Sequence, residues 1–522
     1  MSSLSKDGTA NILPDSKQED DGRLVKVARG GGITLVGKIF TNVTRVIIAF
    51  IVPRLLGAEQ YGMYQLSLNT ITVLAAIVVL GLDGALVRFL AIYVSRGDKE
   101  RTWGTILFGV GLPLVLGSVV SIGLFAFSYQ VAERVFHDVS MAPLLQVASV
   151  IIPLSISGDT LIGAVRGFKN MKYPVIAKFI AQPLVKVVLI GVVAIMGLRV
   201  MHAVVIFGIG ELIAALMLIY YLNRLFPLKI PITAARVDLA AIIKFSVPDF
   251  MAGLMDIFRA NIQVLLIGSL GSFTGVGIFT VANQLNMVGH DFYSSINTAA
   301  KPYIAELHDR RETQQLQKIY QVANKWSLIV NVPFFLAMIL FPVQILAIFG
   351  KSFQSGVLAL IIMAFASLVD VVTGMGGAIL NMTGYTRLKL LNNITGLSVS
   401  LVLNVLLIPA YGVVGAAISA LAVMIVLNAV RIAQVYYILH LFPYNATFVK
   451  PVLASLIAYA VVYLFSKLYP IDAYLIHLLV HVSVLFVVFA LSLLLLGLDP
   501  DDQQMVRRIA GKRFEFLFRN KI

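Results

Sequence analysis

The feature that most constrains this chain is a recurrence of apolar runs of roughly 20 residues, each able to cross a hydrocarbon core of about 30 Å. About fourteen can be read, near 32–53, 66–93, 104–128, 141–164, 174–196, 202–223, 242–268, 275–299, 324–347, 356–380, 388–409, 412–438, 447–467 and 473–497. A backbone in lipid must satisfy its own amides, so such runs read as helices. Of 522 residues, 59% are hydrophobic and only 13% charged, too few charges to cover a soluble surface of this size. The expected fold class is an all-α polytopic membrane protein. The absence of cysteine excludes disulfides, thiol catalysis and thiolate metal sites. The histidines read as isolated, so no metal site and no cofactor is expected.

A net charge of +15 suggests nucleic acid at first sight. The basic residues, however, lie between the apolar runs all along the chain, and membrane topology explains them better. With the N-terminus inside, interior connections collect about twenty Lys and Arg, including Arg88, Arg96, Arg166, Lys169, Arg224, Lys301 and Lys389. Exterior connections hold about five, namely Arg54, Arg134, Arg199, Lys351 and Lys467. Both termini are therefore expected on the cytoplasmic side. Residues 1–30 read as a disordered tail, 301–325 as the longest polar connection, and 499–522 as a basic tail opened by Asp499.

The chain also repeats itself. The stretch Arg54 to Tyr64 returns at Ser269 to Phe279, a spacing of about 214 residues, and Gly163-Ala164 returns as Gly377-Ala378. Gly197 to Ala203 matches Ala410 to Ala416. Each unit holds six helices, an even number, so the two halves enter the membrane in the same sense. Two parallel lobes, 31–227 and 238–440, are expected around an axis along the membrane normal, with the site between them and an additional helix pair at 446–498.

Charged residues deep in a spanning helix cost about 2.5–3.5 kcal/mol on insertion scales and normally face a cavity or a partner. Arg45 lies near the middle of the first run, on a stripe with Lys38, Thr41 and Asn42. At the repeat spacing it corresponds to Arg259, on a stripe with Asp249, Asp256 and Gln263. Asn69 likewise corresponds to Asn283, near His290 and Asp291, and Lys186 stands deep in the fifth run. These positions predict a water-filled cavity in which Arg45, Arg259, Lys186, Asn42, Asn69, Asn283 and Gln263 meet an anionic cargo. Arginine suits phosphate because its planar fork donates two parallel hydrogen bonds. Asp83, Asp249, Asp256 and Asp291 are the candidates for a gate or for a coupling H+ or Na+. A plainer reading also stands: Asp256 and Arg259, at i and i+3, neutralise each other within one helix.

Residues Pro53 to Tyr64, Asn381-Met382-Thr383-Gly384-Tyr385-Thr386 and Tyr411 to Ala417 resemble the polysaccharide (lipid-linked oligosaccharide) flippases. That family belongs to the superfamily of multidrug, oligosaccharidyl-lipid and polysaccharide exporters. The resemblance implies a V-shaped transporter that rocks between inward- and outward-open states. It would carry a polyprenyl-diphosphate-linked oligosaccharide to the outer leaflet of a prokaryotic plasma membrane. The implied partners are that lipid-linked glycan, membrane lipid, and glycan polymerase or glycosyltransferase machinery. A cation-coupled multidrug exporter would favour an acidic or aromatic cavity, against which the basic residues argue. A murein-precursor flippase fits the charge equally well but not the motifs. A membrane glycan polymerase would need a large external loop, and a mere scaffold would have no use for repeat-matched arginines.

Overall fold

Glycine settles where the long apolar stretches bend. The structure, a computed structural model, describes residues 16–227, 231–469, 474–497 and 499. Helix α1 (Ser16–Val79) is broken at Gly57, whose φ of 74° and ψ of 171° no side-chain-bearing residue adopts comfortably. Beyond it run α2 (Leu82–Ser95), α3 (Lys99–Ala126), α4 (Ser128–Arg134), α5 (Ala142–Gly167) and the short α6 (Lys172–Pro174). A π-helical turn, Val175–Ala181, leads from α6 into α7 (Gln182–Met196), followed by α8 (Val200–Leu225). The second half holds α9 (Leu239–Leu270), α10 (Phe273–Asp309), α11 (Thr313–Leu340), α12 (Pro342–Phe349), α13 (Val357–Thr373) and α14 (Gly376–Met382). Helix α15 (Thr386–Leu439) is broken at Gly412, and α16 (Val449–Leu468) and α17 (Tyr474–Leu495) complete the described chain.

At Gly412 the chain reverses. Asn392 and Gln434 exchange side-chain hydrogen bonds of 2.7 and 3.0 Å, although 42 residues separate them. No strand occurs among the described residues, and eleven helices there are long and apolar enough to cross a membrane. Those eleven count α1 and α15 once each despite their breaks and omit the more polar α10, so fourteen crossings stays an expectation. In the first half α5 is the central post, packed by α1, α2, α3 and α8; in the second, α13 packs on α10, α11 and α15. The fold is thus an all-α membrane protein of two like lobes with a helix pair appended.

Three expectations need correction. Helix α1 already begins at Ser16, inside the stretch read as a tail; residues 1–15 and the basic positions beyond Asp499 lie outside the described residues. The supposed connection 301–325 is nearly all helix, since α10 runs to Asp309 and α11 starts at Thr313. Polar residues are compatible with helix here because they pair along it, as Glu306 and Arg310 do at 2.8 Å. Finally, Asp499 does more than open a tail. It takes Lys325 of α11 at 2.9 Å and also binds Lys450 of α16, fastening the helix pair to the second lobe.

Burial alone would raise the Asp499 carboxyl, but hydrogen bonds from Lys450 and Lys325 outweigh it and hold it below the ordinary value of 3.8. Its contribution to stability is therefore complete above about pH 3.8 and is lost only as pH falls through the lower folded value. At neutral pH, Asp499→Ala is expected to cost about 1–3 kcal/mol, seen as a lower melting temperature in detergent. An unchanged melting temperature would show that the fastening is incidental.

The two lobes meet along a seam of bare backbone. A Cβ on Gly62 of α1 would fall 1.8 Å from the Phe273 carbonyl oxygen, and one on Gly277 of α10 would fall 2.0 Å from the Ala58 carbonyl oxygen. Gly62 and Gly277 occupy matched places in the repeat, as do Ala58 and Phe273. Reciprocal contact between matched residues puts the seam on the pseudo-two-fold axis. The small residue four positions before Gly62, Ala58, lets the helices approach this closely. Just beside the seam, the Tyr61 hydroxyl accepts from Gln65 of its own lobe at 2.7 Å and from Gln284 of the other at 3.0 Å.

At the opposite end the lobes touch through different helices. A Cβ on Gly81 would lie 2.7 Å from the Ser246 carbonyl oxygen of α9, and the Arg88 guanidinium lies 4.8 Å over the Phe245 ring. Between these two contacts, the first segment of α1 and the middle of α10 keep their polar residues uncovered: Lys38, Asn42, Arg45, His290 and Asp291 are all exposed.

Candidate functional site

Arg45 stands on α1 without an acid at i±3 or i±4, and its partner comes from the other lobe. Its guanidinium approaches the Asp291 carboxylate of α10 at 3.9 Å, with both side chains more than half exposed (60% and 68%). A pair so open to water stabilises little, about 0–1 kcal/mol, and leaves donors of the guanidinium unused. Arg259 on α9 pairs instead with Asp256, one turn away at 3.7 Å and equally open. The two repeat-matched arginines therefore have unlike partners: one bridges the lobes and the other is neutralised within its own helix.

The remaining predicted residues differ in exposure and in partners. Asn42 is exposed one turn from Arg45, while Asn69, Asn283 and Gln263 are half-buried. The Asn69 amide donates to the Gln65 carbonyl at 2.7 Å. Asp83 and Asp249 are exposed and lie at the α2–α9 contact, where the Asp249 carboxylate occupies the space beside Gly84.

Lys186, expected beside the arginines, belongs to a separate buried cluster within the first lobe. Glu211 of α8, its side chain 4% exposed, receives Lys178 at 2.7 Å and Lys186 at 3.5 Å, with the Gln182 amide on the same oxygen as Lys186. Asp159 of α5 completes the set at 3.7 Å from Lys178, so two cations face two carboxylates. The Lys186 ammonium also sits 3.7 Å over the Phe207 ring, a favourable place for a desolvated cation.

Local sequence explains how α7 presents these lysines. Pro183 has no N–H, so the Phe179 carbonyl lacks the partner that an α-helix would supply, and the turn widens into the π-helical segment that carries Lys178. The freed carbonyl accepts from the Thr41 hydroxyl at 2.9 Å, which ties the Arg45 segment of α1 to this cluster. Glu211 lies 33 and 25 residues from these lysines, beyond any helical spacing, so the cluster has no local sequence signature. The histidines, read from the sequence as isolated, include one pair: His477 and His481, four apart in α17, stack with centroids 3.9 Å apart.

A chain of apolar helices in two like lobes, with a charged and open stripe between them, defines a membrane transporter of the alternating-lobe kind. A family model described as polysaccharide biosynthesis protein matches residues 27–308, more than half of the chain, and a second, MatE, matches residues 248–406. The chain belongs to the polysaccharide biosynthesis protein family.

Its similarities to individual proteins agree with this. The "Probable flippase AglR" of Haloferax volcanii is 22% identical over 412 residues, 77% of this chain and 82% of that protein. The "Probable low-salt glycan biosynthesis flippase Agl15" of the same organism is 26% identical over 190 residues, so the match spans 36% of this chain and only 40% of Agl15. Among solved structures, the lipid II flippase MurJ in an inward closed conformation aligns with a TM-score of 0.69 at 13% identity, over 91% of this chain and 99% of that one. At that identity the likeness is one of fold.

Proposed function

We propose that this protein is a flippase carrying a polyprenyl-diphosphate-linked oligosaccharide from the cytoplasmic to the outer leaflet of the plasma membrane. The observation that carries the reading is Arg45, held in the open stripe between the lobes by a single weak ion pair. A diphosphate outcompetes one exposed carboxylate because it offers the guanidinium fork two acceptors and more charge. The family and the flippase names of the relatives support the same cargo class.

On this reading the termini are cytoplasmic and the Gly62–Gly277 seam closes the outer side. The bodies that rock are residues 31–227 and 238–440. Asp83 and Asp249 belong to the cytoplasmic gate, Asp256 and Asp291 neutralise the arginines between cargoes, and a coupling H+ or Na+ would act at these carboxylates. Glycosyltransferases load the carrier lipid, and a polymerase or transferase consumes the glycan outside. Cargo shifts the two states only through its different affinity for each.

The test is export of the lipid-linked glycan by Arg45→Ala, Arg259→Ala and the double variant, with membrane insertion measured in parallel. Loss of two charge-assisted contacts predicts a fall of roughly 100-fold or more in the double variant. Asp291→Asn, which frees Arg45 but keeps its charge, is expected to export. Normal export by a well-inserted double variant would falsify the cargo site.

A further inference from the structure

Below the Arg45–Asp291 level, the second lobe contains a cavity of about 220 Å3. It is lined by one face of α10 (His290, Ser294, Asn297, Lys301), by Asn381 of α14 and by Lys389 of α15, with Gly377 and Ala378 as its floor. No carboxylate lines it. Its existence follows from a break in the backbone. Gly374, at φ 76°, separates α13 from α14; a Cβ there would fall 2.0 Å from the Asn324 side-chain oxygen. The Tyr293 hydroxyl donates to the Gly374 carbonyl at 2.8 Å, and the Asn324 amide donates to the Val372 carbonyl at 3.0 Å. The broken helix is thereby pinned, and the α14 segment tips its small residues toward the cavity. Behind that floor stands a further cation, since Arg431 Nε lies 3.7 Å from where a Gly377 Cβ would be.

The matched glycine of the first lobe is packed differently. Gly163, matched to Gly377 at 214 residues, is packed shut: its Cβ would fall 2.5 Å from the Asp83 carbonyl oxygen. At the same spacing of 214, Lys301 and Lys389 stand where the first lobe has half-buried Val87 and buried Val175. Lys301 is half-buried and Lys389 exposed, and the two come from separate helices to border one polar cavity. The Asn297 side-chain oxygen is buried there without a hydrogen-bond partner. A ligand hydroxyl would satisfy it.

We infer that this cavity is a second anion site, which receives the phosphates of a sugar-bearing diphosphate on Lys301 and Lys389 and a sugar hydroxyl on Asn297. The inference rests on the proposed cargo and gives it a docking station on one lobe, off the axis, before it reaches Arg45. Occupancy by the cargo headgroup or by free phosphate uses the same chemistry, so both are measured.

Binding of inorganic pyrophosphate and of farnesyl diphosphate is to be measured on the purified full-length protein without substitutions, and in an Arg45→Ala, Arg259→Ala background with Lys301 and Lys389 intact, as K301Q/K389Q and as K301R/K389R. The expected result is a loss of roughly tenfold or more for farnesyl diphosphate in the glutamine variant and retention in the arginine variant. Equal loss for pyrophosphate assigns the site to phosphate alone; loss confined to farnesyl diphosphate assigns it to the lipid headgroup. Undiminished binding by a folded K301Q/K389Q variant overturns the site and leaves the flippase reading intact. If the otherwise unaltered protein binds neither probe, the diphosphate cargo itself is rejected, and the site with it.

Discussion

Glu211→Gln is expected to lower stability by about 3–5 kcal/mol, so that little folded protein accumulates in the membrane. The size follows from what the substitution leaves behind. Lys178 and Lys186 both direct their ammonium groups at this one carboxylate, which is almost fully buried, and Asp159 reaches only Lys178. A glutamine of the same shape keeps one acceptor oxygen, replaces the other with an amide that cannot accept, and strands a cation among apolar helices; a buried charge without its counter-charge is the costly case. Melting temperature and the monodisperse fraction after extraction are the measurements. Adding Lys186→Met removes the stranded cation and should recover a good part of the loss. Wild-type stability in Glu211→Gln alone would mean that the cluster is hydrated, and would make it a candidate for transport rather than for structure.

Gly62→Val is the second large effect. Its Cβ would have to share space with the Phe273 carbonyl oxygen, and backbone, unlike a flexible side chain, does not step aside. Overpacking of this kind costs about 1–3 kcal/mol, enough to shift a two-state lobe equilibrium by roughly 5- to 150-fold toward the parted state. Because the chain has no cysteine, a single one can be introduced at buried Val281, one turn along α10, without background. Labelling there by a membrane-impermeant maleimide should rise about tenfold or more, and Gly277→Val should do the same by symmetry. Unchanged labelling together with normal export would remove the seam from the mechanism.

The architecture was legible because membrane helices announce themselves by length and polarity, and a repeat carries its own symmetry. Gly62 and Gly277, matched in the repeat, also touch in the structure, as matched positions do only at an axis. What stayed hidden was the identity of partners. Arg45 lacks a local acid and reads from the sequence as facing a cavity; its carboxylate lies 246 residues further on (291 − 45), in the other lobe. Lys186 meets Glu211 across a helical hairpin, 25 residues away, and Lys325 meets Asp499 at a separation of 174. Helical spacing governs only neighbours within a turn or two, so it is silent on such pairs. The repeat also misleads in one respect. It implies like backbone at Arg45 and Arg259, but the side chains that answer them differ between halves. The same asymmetry turned a filled packing site beside Gly163 into an open one beside Gly377.

The join between Ala58, Gly62, Phe273 and Gly277 sets backbone against backbone, with the Leu66 side chain seated on Gly268 alongside it. Each pair of touching atoms there contributes only about 0.1–0.2 kcal/mol, while the Gln284–Tyr61 hydrogen bond beside it must break as the lobes part. Such a closure resembles a magnetic latch more than a bolt: tight while shut, and released in one short movement.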